Sequence, residues 1–170
     1  MLSFDIRSLE SHAAQVEGQL APDDSVWEDR DVRPAIPITV EGRLSAAGPS
    51  RFYFSGHFSG EATVPCRRCL TEVVVQVRED AHFIFSSEGD DSADDPDVYP
   101  FGANAPKLDM RPAVREAWLL AVPGFVLCRE DCKGFCATCG VDLNAGTCGH
   151  VQATTDSRWD ALKDARDRLP

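Results

Sequence analysis

Five of the seven cysteines fall in one stretch, Cys128-Arg-Glu-Asp-Cys132-Lys-Gly-Phe-Cys136-Ala-Thr-Cys139, which continues to Cys148-Gly-His150. The other two form the turn Cys66-Arg-Arg-Cys69. Cysteines at these spacings let two thiolates of one short turn converge on a tetrahedral ion. Counting His150, the chain offers eight ligands in four pairs, enough for two four-ligand sites. A site filled by protein ligands has no open position for a substrate, which argues for structure rather than catalysis.

Two other uses of the thiols compete with metal binding. Disulfides persist in secreted proteins, but the opening Met1-Leu2-Ser3-Phe4-Asp5 has neither a basic nor an apolar leader region, and an odd cysteine count suits full pairing badly. A redox CxxC normally opens a helix in a βαβ unit, whereas Cys66 and Cys69 sit between two strand-like runs. Buried inert thiols explain single cysteines and not a cluster. Zinc is therefore the expected cofactor, as one or two ions, with two preferred.

The clearest pattern beside the cysteines has period two. Phe52, Phe54, Phe58, Ala62 and Val64 occupy even positions, and Val73, Val75, Val77, Ala81, Phe83 and Phe85 occupy odd ones. Strands at 51–64 and 70–85 then form an antiparallel hairpin with Cys66 and Cys69 at its tip. Gly56 and Gly60 suggest a bend or bulge. A further strand is expected at 36–46, a short opening strand at Leu2–Ile6 and a short helix at Ser8–Val16. The polar run Glu17–Pro34 reads as a solvated connection. Val98–Phe101 is a candidate sheet contact. Asp109 is placed to cap a helix to Ala121, with Met110, Val114, Ala117 and Trp118 at helical spacing. A last helix is expected from Asp156.

These elements predict an α+β fold: an antiparallel sheet with a packed helix, a zinc-knuckle-like cysteine cluster and a C-terminal helix. Residues 1–127 would form the sheet domain with its CxxC hairpin tip, 128–150 a cysteine-rich zinc segment packed on it, and 151–170 the C-terminal helix. The helix at 110–121 would pack on the sheet, and the short extended run Gly124–Leu127 after Pro123 would return Cys128 to the hairpin tip. That favours Cys66, Cys69, Cys128 and Cys132 as one site, and Cys136, Cys139, Cys148 and His150 as the other. Consecutive pairing, with Cys128 to Cys139 on one ion, is the rival division.

The net charge of −11 argues against non-specific binding of nucleic acid by the whole surface. Six of the acids crowd between Glu88 and Asp97, so Ser86–Asp97 is expected to be a mobile acidic loop dispensable for folding. No apolar run is long enough to cross a membrane. No P-loop, dinucleotide fingerprint or Ser/His/Asp arrangement is present, and His12, His57 and His82 read as exposed side chains, so neither an enzyme nor a small-molecule substrate is expected.

The order of these pieces resembles the YceD family. The resemblance rests on Cys66-Arg67-Arg68-Cys69-Leu70, the acidic loop, the helix "DMRPAVREAWLLAVP", the segment "LCREDCKGFCATCGVDLNAGTCGH" and the ending "RWDALKD". It covers nearly the whole chain, and its cysteine segments are its specific part. Many members end the second cluster in CxC where this chain has Cys148-Gly-His150, and histidine is an adequate zinc ligand. The family is named for large ribosomal RNA accumulation, and its genes commonly neighbour that of a large-subunit ribosomal protein. The resemblance implies a cytoplasmic, non-enzymatic factor supporting synthesis, processing or stability of large-subunit ribosomal RNA.

Two kinds of partner follow. Arg67, Arg68, Arg129 and Lys133 flank the cysteines and could contact RNA phosphates without reading bases, or simply balance the thiolates and neighbouring acids. Alternatively, the acidic chain binds a basic large-subunit ribosomal protein and its RNA effects are indirect.

Overall fold

The alternating aromatic run forms the longest strands of a five-stranded sheet. The computed structural model describes residues 2–89 and 95–150, together with Leu162 and Arg166. In chain order the elements are β1 (Ser3–Asp5), α1 (Ile6–Ser11), β2 (Ala14–Leu20), β3 (Ile38–Gly48), β4 (Arg51–Pro65), β5 (Glu72–Ser87), β6 (Val98–Phe101), β7 (Lys107–Asp109) and α2 (Arg111–Ala121). The sheet order is β2-β3-β4-β5-β6, and β1 pairs separately with β7. β4 buries Phe52, Phe54, Phe58, Ala62 and Val64, while β5 buries Val77, Ala81, Phe83 and Phe85. Phe54 and Phe83 stack across this pair with centroids 5.4 Å apart. Each such side chain contributes about 1.5–3 kcal/mol by leaving water.

The fold is sheet-rich rather than an even α+β mixture, and its sheet is mixed. β2, β3 and β4 pair antiparallel, but β6 joins β5 in parallel from Ile84↔Val98 to Ser87↔Phe101. The helix expected at 8–16 stops at Ser11, and 14–20 is a strand with Val16, Gly18 and Leu20 buried. Gly18 has no side chain, so it interrupts the apolar alternation that would have marked this strand. Ser86, expected in the acidic loop, is instead a buried residue of β5. Residues 90–94 of that loop lie outside the described residues, as does the C-terminal helix expected over 151–170, save Leu162 and Arg166, which are helical.

Gly56 faces Gly42 in an unbroken stretch of the β3–β4 register, whose irregularity is at Ala46/Gly48, so Gly56 marks no bulge in that pairing. A Cβ at Gly42 would come within 2.7 Å of the Phe54 ring, and one at Gly60 within 3.0 Å of the Trp118 ring. These glycines make room for buried aromatics. Fully buried Trp118 meets Phe58 at 6.5 Å between centroids, seating α2 on the sheet. Met110 is the N-cap of α2, and the Asp109 carboxylate accepts from the Arg111 N–H at 3.0 Å.

The polar connection after Leu20 is tied down rather than solvated. Trp27 is buried, and its Nε1–H donates to the Ala21 carbonyl at 2.8 Å. Asp24 pairs with Arg111 at 3.2 Å, Asp31 with Arg115 at 2.6 Å, and the Val32 carbonyl accepts from Trp118 Nε1–H at 2.8 Å. The acids that read as solvated residues thus serve the cations of α2. The chain divides into two compact units, residues 1–64 with 72–126, and residues 65–71 with 127–170. Every cysteine belongs to the second unit.

Candidate metal centres

Two turns of the second unit are built alike. In the first, the Cys66 N–H donates to the Thr71 carbonyl at 2.8 Å, and the Cys66 carbonyl accepts from Leu70 N–H at 2.9 Å. In the second, Cys136 makes the same bonds with Val141 and Gly140, at 2.9 and 2.8 Å. Both turns close through a residue of positive φ, 58° at Leu70 and 72° at Gly140. This reversal is what brings the two cysteines of each CxxC to the same side. The Arg68 N–H also points at the Cys66 sulfur, at 3.5 Å.

The ligands gather into two sets, Cys66, Cys69, Cys128 and Cys132, and Cys136, Cys139, Cys148 and His150, the ligand atoms within each lying within 4.8 Å of one another. This is the non-consecutive division expected from the sequence. Cys66 and Cys132 sulfurs are 3.9 Å apart, Cys69 and Cys128 sulfurs 3.5 Å, and Cys136 Sγ lies 3.9 Å from His150 Nδ1. A zinc-sized tetrahedron with metal–sulfur bonds of about 2.3 Å has sulfur–sulfur edges of about 3.8 Å. Each set can therefore hold a metal ion. All seven cysteines are free, so none is spent on a disulfide. In the first set Cys66, Cys69 and Cys132 are buried and Cys128 is exposed; in the second only Cys136 is buried.

The thiols are electrically unequal. Burial pushes Cys66 up, but N–H groups of Arg68, Cys128 and Cys69 outweigh it and bring the thiol down to about 6. The N–H groups of Cys139 and Thr138 bring Cys136 down to about 6 as well. Cys128, crowded by Cys69, burial and Cys132, is pushed up to about 12. Hydrogen bonds from Thr71 also lower Cys69, so thiols of both sets favour the thiolate, and negative charge then accumulates against their neighbours. A dication relieves that repulsion.

The four flanking cations have different surroundings. Arg68 Nη1 donates to the Cys132 carbonyl at 2.7 Å, holding one cysteine turn to the other, and Arg129 pairs with Asp131 at 3.3 Å. Arg67 and Lys133 are exposed and make no ion pair among the described residues. Two contributors were not singled out from the sequence. Thr71 Oγ1 lies 3.3 Å from the Cys69 sulfur, and Asn144 Nδ2–H donates toward the Cys132 sulfur at 3.6 Å. The Asp142–Asn144 turn was a visible signal for the second, since Asp142 Oδ1 accepts both the backbone and side-chain N–H of Asn144 at 2.9 and 2.8 Å.

Fold and sites together define a sheet-rich protein with two cysteine-built centres, each able to hold a metal ion. Residues 54–165, which include every ligand, match the family described as large ribosomal RNA subunit accumulation protein YceD, and the chain belongs to that family. The uncharacterized protein YlbN of Bacillus subtilis is 28% identical over 101 residues, covering 59% of this chain and 57% of that protein. Rv2926c of Mycobacterium tuberculosis is 32% identical over 99 residues, covering 57% and 47%. ML1660 of Mycobacterium leprae is 30% identical over 130 residues, covering 75% and 58%. The chain thus spans about half the length of the curated relatives it matches. No solved structure matches it. Among the described residues no helix is long and apolar enough to cross a membrane.

Proposed function

We propose that this protein is a non-catalytic cytoplasmic factor that supports synthesis, processing or stability of large-subunit ribosomal RNA, with a structural zinc ion in each cysteine set. The observation that carries the reading is the family match over 54–165, which contains both sets. Zinc suits four-thiolate and three-thiolate-plus-imidazole sets at tetrahedral spacing. Bound there, it would supply folding energy rather than a reactive position. Cys66 and Cys136 give up their protons first, Thr71 and Asn144 orient sulfurs, and Arg68 holds the Cys132 turn in place. Exposed Arg67 and Lys133 are suited to phosphate oxygens, with Arg68 and Arg129 as weaker contributors because each already has a partner.

The test is cross-linking in cells combined with quantification of large-subunit ribosomal RNA. Depletion should lower that RNA, and Arg67→Glu/Lys133→Glu should reduce RNA cross-links without loss of zinc. Unchanged RNA levels on depletion would overturn the reading. The second reading, a module binding a basic large-subunit ribosomal protein, is favoured by the net charge of −11. Salt-sensitive retention by purified ribosomal RNA supports the first reading; retention by the basic protein alone supports the second.

A further inference from the structure

α2 carries its apolar residues inward, yet Leu120 in its last turn is 80% exposed. It stands at the lip of a groove of about 580 Å³ between β5, the start of β6 and α2, all within the first compact unit. Phe58 and Phe83 lie in its floor, and Glu79, Asp80, Asp97 and Glu116 line it. Among the described residues no lysine or arginine lines it. His82, among the described lining residues, already meets the Tyr53 hydroxyl at 2.8 Å and stacks on that ring.

We propose that this groove docks a lysine- or arginine-bearing segment of a partner protein. An aliphatic side chain of the segment rests against Leu120 and the aromatic floor, and its cations reach carboxylates at the rim. Charge complementarity selects the occupant. Among the described lining residues carboxylates stand without a lysine or arginine, and such a surface repels a phosphate backbone, which argues against RNA here. An apolar floor gives a small hydrated cation nothing to replace its water shell, whereas a long basic side chain covers apolar surface with its stem and keeps its charge at the rim. The volume lies within the range of ordinary binding pockets and accommodates a few side chains. Tyr99 supplies a neutral hydroxyl at one wall: burial, with Glu116 and Asp97 beside it, pushes its phenol up to about 12. The proposal deepens the protein-interaction reading by naming its surface, and it rests on that reading without requiring the metal centres.

The probe is a fluorescent peptide of alternating lysine and leucine, measured by anisotropy against the full chain at low and high salt. A glutamate–leucine peptide and an oligouridylate are the comparison ligands. Glu79→Gln/Asp80→Asn and, separately, Leu120→Asn should each weaken the basic peptide about five- to tenfold, as expected for lost charge complementarity and lost apolar contact. Glu10→Gln/Asp23→Asn removes the same charge elsewhere and should change affinity less than about twofold. Circular dichroism confirms that each variant is folded, and Leu120, being exposed, can be changed without opening the core. The proposal is overturned if the control pair weakens binding as much as the groove pair, if Leu120→Asn leaves affinity unchanged, or if oligouridylate displaces the peptide. It is also overturned, with the wider interaction reading left standing, if the whole chain retains a basic ribosomal protein equally well after both groove changes.

Discussion

Asn144 Nδ2 lies 3.6 Å from the Cys132 sulfur, so a side chain from the loop of the second cysteine set donates to a ligand of the first. Asn144 Oδ1 also accepts the Lys133 N–H at 2.8 Å, which fixes the amide between the sets. Hydrogen bonds to ligands typically change metal affinity by about 10–100-fold. Asn144→Ala should therefore weaken zinc at the first set by about tenfold while the second set, whose ligands Asn144 does not touch, keeps its affinity. Stepwise zinc removal by a colorimetric chelator reads both. Two unchanged steps would show that the amide does not tune the Cys132 sulfur.

The division of ligands predicts metal counts. Cys66→Ser should release one zinc ion per chain and destabilise the turn at 66–71, and Cys139→Ser should release the other and loosen 134–150. Each variant should retain one ion, and the double variant none. Elemental analysis of the purified variants decides this, and a Cys66→Ser protein with both ions and full stability would exclude the first set as a site.

Leu70 holds φ 58° where the matching turn has Gly140 at 72°. A left-handed conformation costs a residue with a Cβ about 1–2 kcal/mol, partly offset by the greater unfolded-state freedom of glycine. Leu70→Gly should therefore raise unfolding free energy by up to about 1 kcal/mol or leave it level, and the branched Leu70→Val should lower it. Denaturant melts of both variants in excess zinc provide the comparison, and a clear loss in Leu70→Gly would mean that the exposed leucine makes a contact of its own.

A Cβ on Gly42 would meet the Ser55 carbonyl oxygen at 2.5 Å and the Phe54 ring at 2.7 Å. The obstacle is partly backbone, so the site cannot relax by rotating a side chain. Gly42→Ala should cost about 1–3 kcal/mol or more, the range for overpacked cores. Urea unfolding measures it, and a loss below a few tenths of a kcal/mol would show that β3 and β4 can separate without penalty.

Asp31 accepts two hydrogen bonds from Arg115, at 2.6 and 2.9 Å, and that pairing holds its carboxyl below the usual aspartate range. A carboxyl whose folded pKa is depressed contributes its full stability above the unfolded value, about 3.9, and loses it as pH falls through the lower folded value. Asp31→Asn should thus lower stability at neutral pH and flatten the fall in stability below about pH 4. Thermal melts across that range test it, and parallel pH curves for the two proteins would contradict the assignment.

The sequence by itself determined the candidate metal ligands and the strands that carry the first pair. Cysteine spacing is a property of a few adjacent residues, and so is the alternation of Phe52 to Val64 and Val73 to Phe85, so each can be read without knowing what lies across the fold. It also indicated the division of the eight candidate ligands, because the short run Gly124–Leu127 suffices to return Cys128 to the Cys66–Cys69 turn. Tertiary structure decided what depends on distant partners. β2 is a strand because Val16 and Leu20 find β3, although Gly18 erases its periodicity. β6 runs parallel to β5 because of where the chain re-enters the sheet, which no local pattern encodes. Residues 21–37 are anchored because Asp24, Asp31 and the Val32 carbonyl meet α2 residues more than eighty positions away. Gly42 and Gly56 are glycines because Phe54 lies over their pairing, and Asn144 joins the first metal set because folding brings its amide to Cys132. Local periodicity and spacing report the backbone's own preferences, whereas polar partners, glycine clearances and sheet neighbours are set by which surfaces meet.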